Sequence, residues 1–113
     1  MARKKQKKDT KVDVLGTTYT IKLSSEKEDE ALKNLNGYCL CLQKHIVIDD
    51  KPGYSTSDSI TKRTIRHELL HAFFYESGLD NEVPWANYEE QIVDWIALQF
   101  PKMLKAFKEA GGL

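Results

Sequence analysis

The sequence predicts an α+β domain, a small antiparallel sheet packed against two long helices, and three features carry that reading. Residues 12–23 alternate apolar and polar side chains with the period of strands and 38–49 hold two short apolar runs split by a polar triplet, while 59–77 and 86–110 repeat apolar positions with the period of helices. The 113 residues show no internal repeat and no second compositional regime, so one core is expected over 12–113. With 41% hydrophobic and 10% aromatic residues, the chain is neither wholly disordered nor collagen-like.

Val12 to Leu23 places β-branched residues on both sides of Gly16, the signal of a first hairpin. Ser25 and Glu28 have the spacing of a capping box. With Ala31, Leu32 and Leu35 before Asn36-Gly37, they predict a helix over about 26–35. Two apolar runs, Tyr38 to Leu42 and Ile46 to Ile48, flank the polar Gln43-Lys44-His45 and predict a second hairpin. Cys39 and Cys41 fall on one strand face, displaced along the chain, and are expected to be reduced, buried thiols and not a disulfide.

Pro52-Gly53 and the polar stretch to Ser59 form a loop, with Ser57 or Asp58 as cap for a helix over about 59–77. Gly78 and Leu79 fit a Schellman end, and Ile65, Leu69, Leu70, Ala72, Phe73 and Phe74 spread over more than half the circumference, so this helix should be mostly buried. A linker containing Pro84 leads to a last helix over about 86–110. Its apolar residues from Ile92 to Phe107 share one arc that stays in phase past Pro101, which predicts one kinked helix or two nearly collinear ones.

The formal charge is zero, 17 basic against 17 acidic residues, but the distribution is uneven. Arg3, Lys4, Lys5, Lys7, Lys8 and Lys11 make residues 1–11 a basic, disordered tail, and the remainder carries 11 basic and 16 acidic groups. Such a tail supports at most weak nucleic-acid contact, since no aromatic residue interleaves it. The basic run ending at Lys8 is followed by Asp9-Thr10-Lys11 and not by an apolar segment, and no apolar run reaches the roughly 18 residues of a membrane span, so a cytoplasmic location is expected.

The chemistry concentrates in His67-Glu68-Leu69-Leu70-His71, inside the first long helix. Two imidazoles at i and i+4 lie about 40° and about 6 Å apart, so both can reach one metal ion. Glu68, about 100° from His67, is placed to hold a metal-activated water without ligating, which is the division of labour of an HExxH unit. Two buried imidazoles and a buried carboxylate are costly without a cation to compensate them.

A zinc site with one open position needs a third protein ligand. Position 77 is Ser, which excludes a third histidine at metzincin spacing, and Glu76 is rotated about 140° from His71. Glu90 is the preferred ligand, at the rim of the apolar arc. Asp94 shares its face and is placed to accept the second N–H of a ligating histidine. Glu89 points nearer the middle of the arc and stays open as the alternative.

His67-Glu68-x-x-His71 followed by Glu90-x-x-x-Asp94 resembles the HExxH plus ExxxD arrangement of the gluzincin zinc peptidases. Ala97 and Pro101 extend the resemblance, over about 38–101, to the minimal ImmA/IrrE-like zincins of phages and mobile elements. That resemblance implies a metallopeptidase with one Zn²⁺ per chain held by His67, His71 and Glu90, Asp94 behind them, and Glu68 as general base. Its partner would be a protein or peptide substrate, such as a phage or mobile-element regulator. The chain lacks an evident helix-turn-helix segment and is shorter than most such proteins. A monomer is expected. His45, Tyr54, Tyr75 and Tyr88 are the residues weighed for oxyanion or substrate contact, residues 38–48 are where a substrate-binding sheet edge is expected, and Trp85 and Trp95 are expected to pack in the core. The competing reading is a non-catalytic interaction protein that keeps the fold, with zinc structural or absent.

Overall fold

The computed structural model describes residues 9–50, 57–79 and 88–113. Strands β1 (Thr10–Val14) and β2 (Thr17–Ser24) form the first hairpin, with Val14 opposite Thr17. Leu15 and Gly16 have φ of 53° and 95°, the primed two-residue turn whose twist suits paired strands. Because β1 begins at Thr10, Thr10 and Lys11 belong to the sheet and not to the tail assigned to 1–11. Asp9 precedes β1 without regular structure, and residues 1–8 lie outside the described residues.

The helix expected over 26–35 is replaced by turns and a single 3-10 turn, Glu30–Leu32. The Glu28 and Asp29 N–H groups both donate to the Ser25 carbonyl, and the Asp29 side chain accepts from the Ala31 N–H. Asp29 is therefore the cap, and Ser25 with Glu28 marks a turn. Leu32 is buried but Leu35 is about half exposed, so the segment has too small an apolar stripe to hold a longer helix.

Strands β3 (Gly37–Leu40) and β4 (His45–Asp49) pair antiparallel around a turn at 41–44, two residues earlier than the polar triplet suggested. Cys41 and the exposed Leu42 consequently lie in the turn. The strand order is β1-β2-β4-β3, with β4 parallel to β2 from Thr20–His45 to Ser24–Asp49. The sheet is thus mixed: its outer pairings are antiparallel and its central one is parallel. Ile46, Val47 and Ile48 are all buried, as expected of a strand covered on both faces.

One face carries Val12, Val14, Tyr19, Ile21, Leu23, Cys39, Ile46 and Ile48, and it packs against Ile65, Leu69, Ala72 and Phe73 of helix α1 (Ser57–Ser77). The opposite face carries Val47 and its cross-strand neighbour Tyr38, whose hydroxyl donates to Asp29 of the crossover. Burial and that carboxylate push the Tyr38 hydroxyl up to about 12. Ser57, considered as a cap, is already helical. At the other end of α1 the Leu79 and Gly78 N–H groups donate to the Phe74 and Tyr75 carbonyls, the expected Schellman end.

Helix α2 (Glu89–Glu109) runs through Pro101 as one element. Val93 and Ala97 are its buried residues; Phe100 and Phe107 are 39% and 46% exposed and Met103 and Leu104 half-buried, so the apolar arc is only partly covered beyond Ala97. Trp95, expected in the core, is 57% exposed because it lies about 200° around the helix from Val93. Trp85 lies outside the described residues. No helix among the described residues is long and apolar enough to cross a membrane.

Candidate metal centre

The two long helices meet where α1 carries His67, Glu68 and His71 and the first turns of α2 carry Glu89, Glu90 and Asp94. Pro101 has no N–H to give the Ala97 carbonyl four residues before it. Arg66 Nε donates to that carbonyl instead, at 2.8 Å. This bond ties α2 to α1 one residue away from His67. The proline was legible as a break in the helix ladder; the residue that fills the break was not.

The imidazoles are held from behind by two different carboxylates. His67 Nδ1 lies 2.8 Å from Asp94 Oδ1, and His71 Nδ1 lies 2.7 Å from Glu89 Oε2. If each Nδ1 carries the proton that binds its carboxylate, both Nε2 lone pairs are free for a ligand. Those Nε2 atoms converge, 3.3 Å from each other and 2.7 and 3.2 Å from Glu90 Oε1. The rings are edge to face with centroids 4.9 Å apart.

Zinc at bond lengths of about 2.0–2.1 Å in tetrahedral geometry needs donor atoms roughly 3.3 Å apart. The two edges from His71 Nε2 match that spacing, and the His67–Glu90 edge is shorter, at hydrogen-bond length. Two imidazole nitrogens and one carboxylate oxygen are also a donor set that zinc accepts. The residues present therefore fit the ion. His67, His71 and Glu90 form the one such cluster found among the described residues.

Glu68 is buried, and its Oε2 lies 4.0 Å from His67 Nε2. Burial pushes its carboxyl above the ordinary range; the neighbouring imidazoles pull it back, and Glu90 and Asp94 push it up again. For His71, burial favours the neutral ring, but the Glu89 hydrogen bond and the charges of Glu90 and Glu68 together outweigh it and raise the pKa. Four carboxylates thus surround two imidazoles, an arrangement that a divalent cation would neutralise.

Beside this cluster a cleft of about 390 Å³ opens between residues 35–37, leading into edge strand β3, and the α1 face from Ile60 to Glu68, with Asp94 on its wall. Gly37 makes the close approach possible. A Cβ there would lie 2.9 Å from both Thr64 Cγ2 and the Val47 carbonyl oxygen.

Of the residues weighed for oxyanion or substrate contact, His45 and Tyr75 are not brought to the cluster. His45 pairs with Thr20 and Leu40, and strand alternation points it to the face opposite Ile46, away from α1. His45 is therefore withdrawn as an oxyanion contact. Tyr75 lies under Lys44 Nζ, 4.9 Å from its ring centre. That lysine belongs to a network at the far end of α1, where Glu76 accepts from Lys44 at 2.6 Å, Tyr19 at 2.6 Å and Thr17 at 3.1 Å. Glu76 is thereby engaged away from the histidines. Tyr88 precedes α2 and is 58% exposed, and Tyr54 lies outside the described residues. Cys39 and Cys41 are free thiols with sulfurs 3.3 Å apart, and burial raises the Cys39 pKa.

The chain matches no protein-family model, no curated protein and no solved structure. The functional reading therefore rests on the residues themselves.

Proposed function

We propose that this chain is a zinc-dependent peptidase of the gluzincin kind, similar to the minimal ImmA/IrrE-like zincins and acting in the cytoplasm on a protein or peptide substrate. The observation that supports it most is the convergence of both histidine Nε2 atoms on Glu90 Oε1 while each Nδ1 is held by its own carboxylate. His67, His71 and Glu90 would hold the ion, with Asp94 and Glu89 fixing the two rings. A structural zinc site is closed by four protein ligands, whereas here three donors stand beside an open cleft and a carboxylate that is not a ligand.

When bound, zinc would polarise the scissile carbonyl and acidify a water molecule. Glu68 supplies the base. Its burial raises its proton affinity, which suits a group that must take a proton from water and return it to the departing amine. Among the described residues β3 is an edge strand whose outer backbone side would receive an extended peptide, and the cleft between it and α1 leads to Glu68. The test is zinc content by elemental analysis with a peptide-library cleavage assay on the purified chain. One zinc per chain with cleavage supports the reading; a zinc-loaded chain that cleaves nothing supports the interaction-protein alternative.

A further inference from the structure

The cleft holds one charged group that the proposed hydrolysis does not use. Arg63 lines it together with Ile60, Leu35 and Asp94, and is the only lysine or arginine among the residues that do. Three other cations are engaged, Lys44 with Glu76, Arg66 with the Ala97 carbonyl and Lys105 with Glu109, while the remaining described lysines are unpaired but do not line the cleft. Arg63 has no hydrogen bond or ion pair among the described residues, although the chain beyond residue 11 is rich in acid. Asp94, which shares the cleft wall, is already committed to His67.

Position matters as much as charge. Arg63 precedes His67 by one helical turn, about 6 Å of rise and about 40° of rotation, which corresponds to about two residues of extended peptide. A guanidinium offers a planar fork of N–H donors that a carboxylate accepts in pairs. Arg63 is exposed, with the half-exposed Leu35 and Ile60 beside it in the cleft, so its fork is accessible to an incoming carboxylate.

From this placement we propose that Arg63 determines specificity by receiving a carboxylate of the substrate within about two residues of the bond cut. The carboxylate is either an Asp or Glu side chain or the free C-terminus. The proposal rests on the peptidase reading and narrows its substrate class to acidic or C-terminal peptide segments.

The experiment uses the full-length, zinc-loaded chain and a library hit whose residues flanking the cut are varied one at a time through Glu, Gln and Lys, with the C-terminus amidated. A Gln peptide with a free C-terminus separates the two carboxylate sources. kcat/KM is read for the wild type, Arg63→Ala and Arg63→Glu, and binding of the same peptides to Glu68→Gln, with and without Arg63→Ala, is read by fluorescence anisotropy. A hydrogen-bonded charge pair predicts a preference of about ten- to hundredfold for one carboxylate-bearing peptide. That preference should vanish in Arg63→Ala and turn toward Lys in Arg63→Glu, a reversal that a merely structural role would not produce. A wild-type preference below twofold in both assays, or one unchanged by Arg63→Ala, overturns the proposal. If peptides of the same library bind Glu68→Gln with an Arg63-dependent carboxylate preference but the zinc-loaded wild type cleaves none of them, the carboxylate site stands and the peptidase reading falls.

Discussion

Replacing Arg66 by alanine tests how the two helices that form the metal centre are held together. The substitution leaves the Ala97 carbonyl without a donor, because Pro101 has none to give. Ala97 is fully buried, and an orphaned buried acceptor costs about 1–3 kcal/mol, so Arg66→Ala should lower the unfolding free energy by about that amount. Pro101→Ala restores the N–H that the carbonyl lacks. In that background Arg66→Ala should cost less than about 1 kcal/mol, since the acceptor keeps a partner. Any packing contributed by the Arg66 stem is lost in both backgrounds and cancels from the difference. Urea denaturation of the four proteins, compared at equal m, gives the coupling. Independent sites add to within about 0.5 kcal/mol, so an equal cost of Arg66→Ala in both backgrounds would refute the argument.

Three further outcomes follow from the same geometry. Asp94→Ala and Glu89→Ala should each weaken zinc binding about 10–100-fold in a chelator competition, because each frees one imidazole from its carboxylate; Glu90→Ala should weaken it more, and a larger loss from Glu89→Ala would exchange their roles. Gly37→Ala forces a Cβ to within 2.9 Å of a backbone oxygen and of Thr64 and should cost about 1–3 kcal/mol of stability in urea; an unchanged midpoint would show that β3 and α1 can separate freely. Lys44 above all, then Tyr19 and Thr17, hold Glu76 below its ordinary pKa, so the native state binds that proton less readily than the unfolded chain. This contribution is present above pH about 4.5 and is lost as the pH falls through that value toward the lower folded pKa. Glu76→Gln should flatten the acid limb of a stability-versus-pH profile, and an acid limb identical to wild type would contradict the assignment.

The parts legible in the sequence were those with long-lived periodicity or a motif of fixed spacing. His67, Glu68 and His71 come together because a helix imposes their geometry, and α1 and α2 each sustain five or more turns. The segment 26–35 misled because a Ser and a Glu three apart serve a turn as readily as a helix cap, and only Leu32 is buried there to decide between them. The parallel pairing of β2 with β4 was not legible either, since alternation within a strand does not say which strand lies beside it. The unbroken Ile46-Val47-Ile48 run was the available sign that β4 is central. His45 lies within β4 and not in the turn, so alternation with the buried Ile46 turns it away from α1. Glu89 and Glu90 could not be ranked on a helical wheel because both reach the histidines, one at His71 Nδ1 and the other at both Nε2 atoms.

The most direct test of the central claim is the peptide-cleavage rate of zinc-loaded Glu68→Gln relative to zinc-loaded wild type, with metal content measured on the same samples. A buried carboxylate beside the ligand cluster that takes the proton of the attacking water predicts one zinc per chain in both proteins, cleavage by wild type, and a loss of at least about 100-fold in the variant. Equal rates at equal zinc content would contradict it.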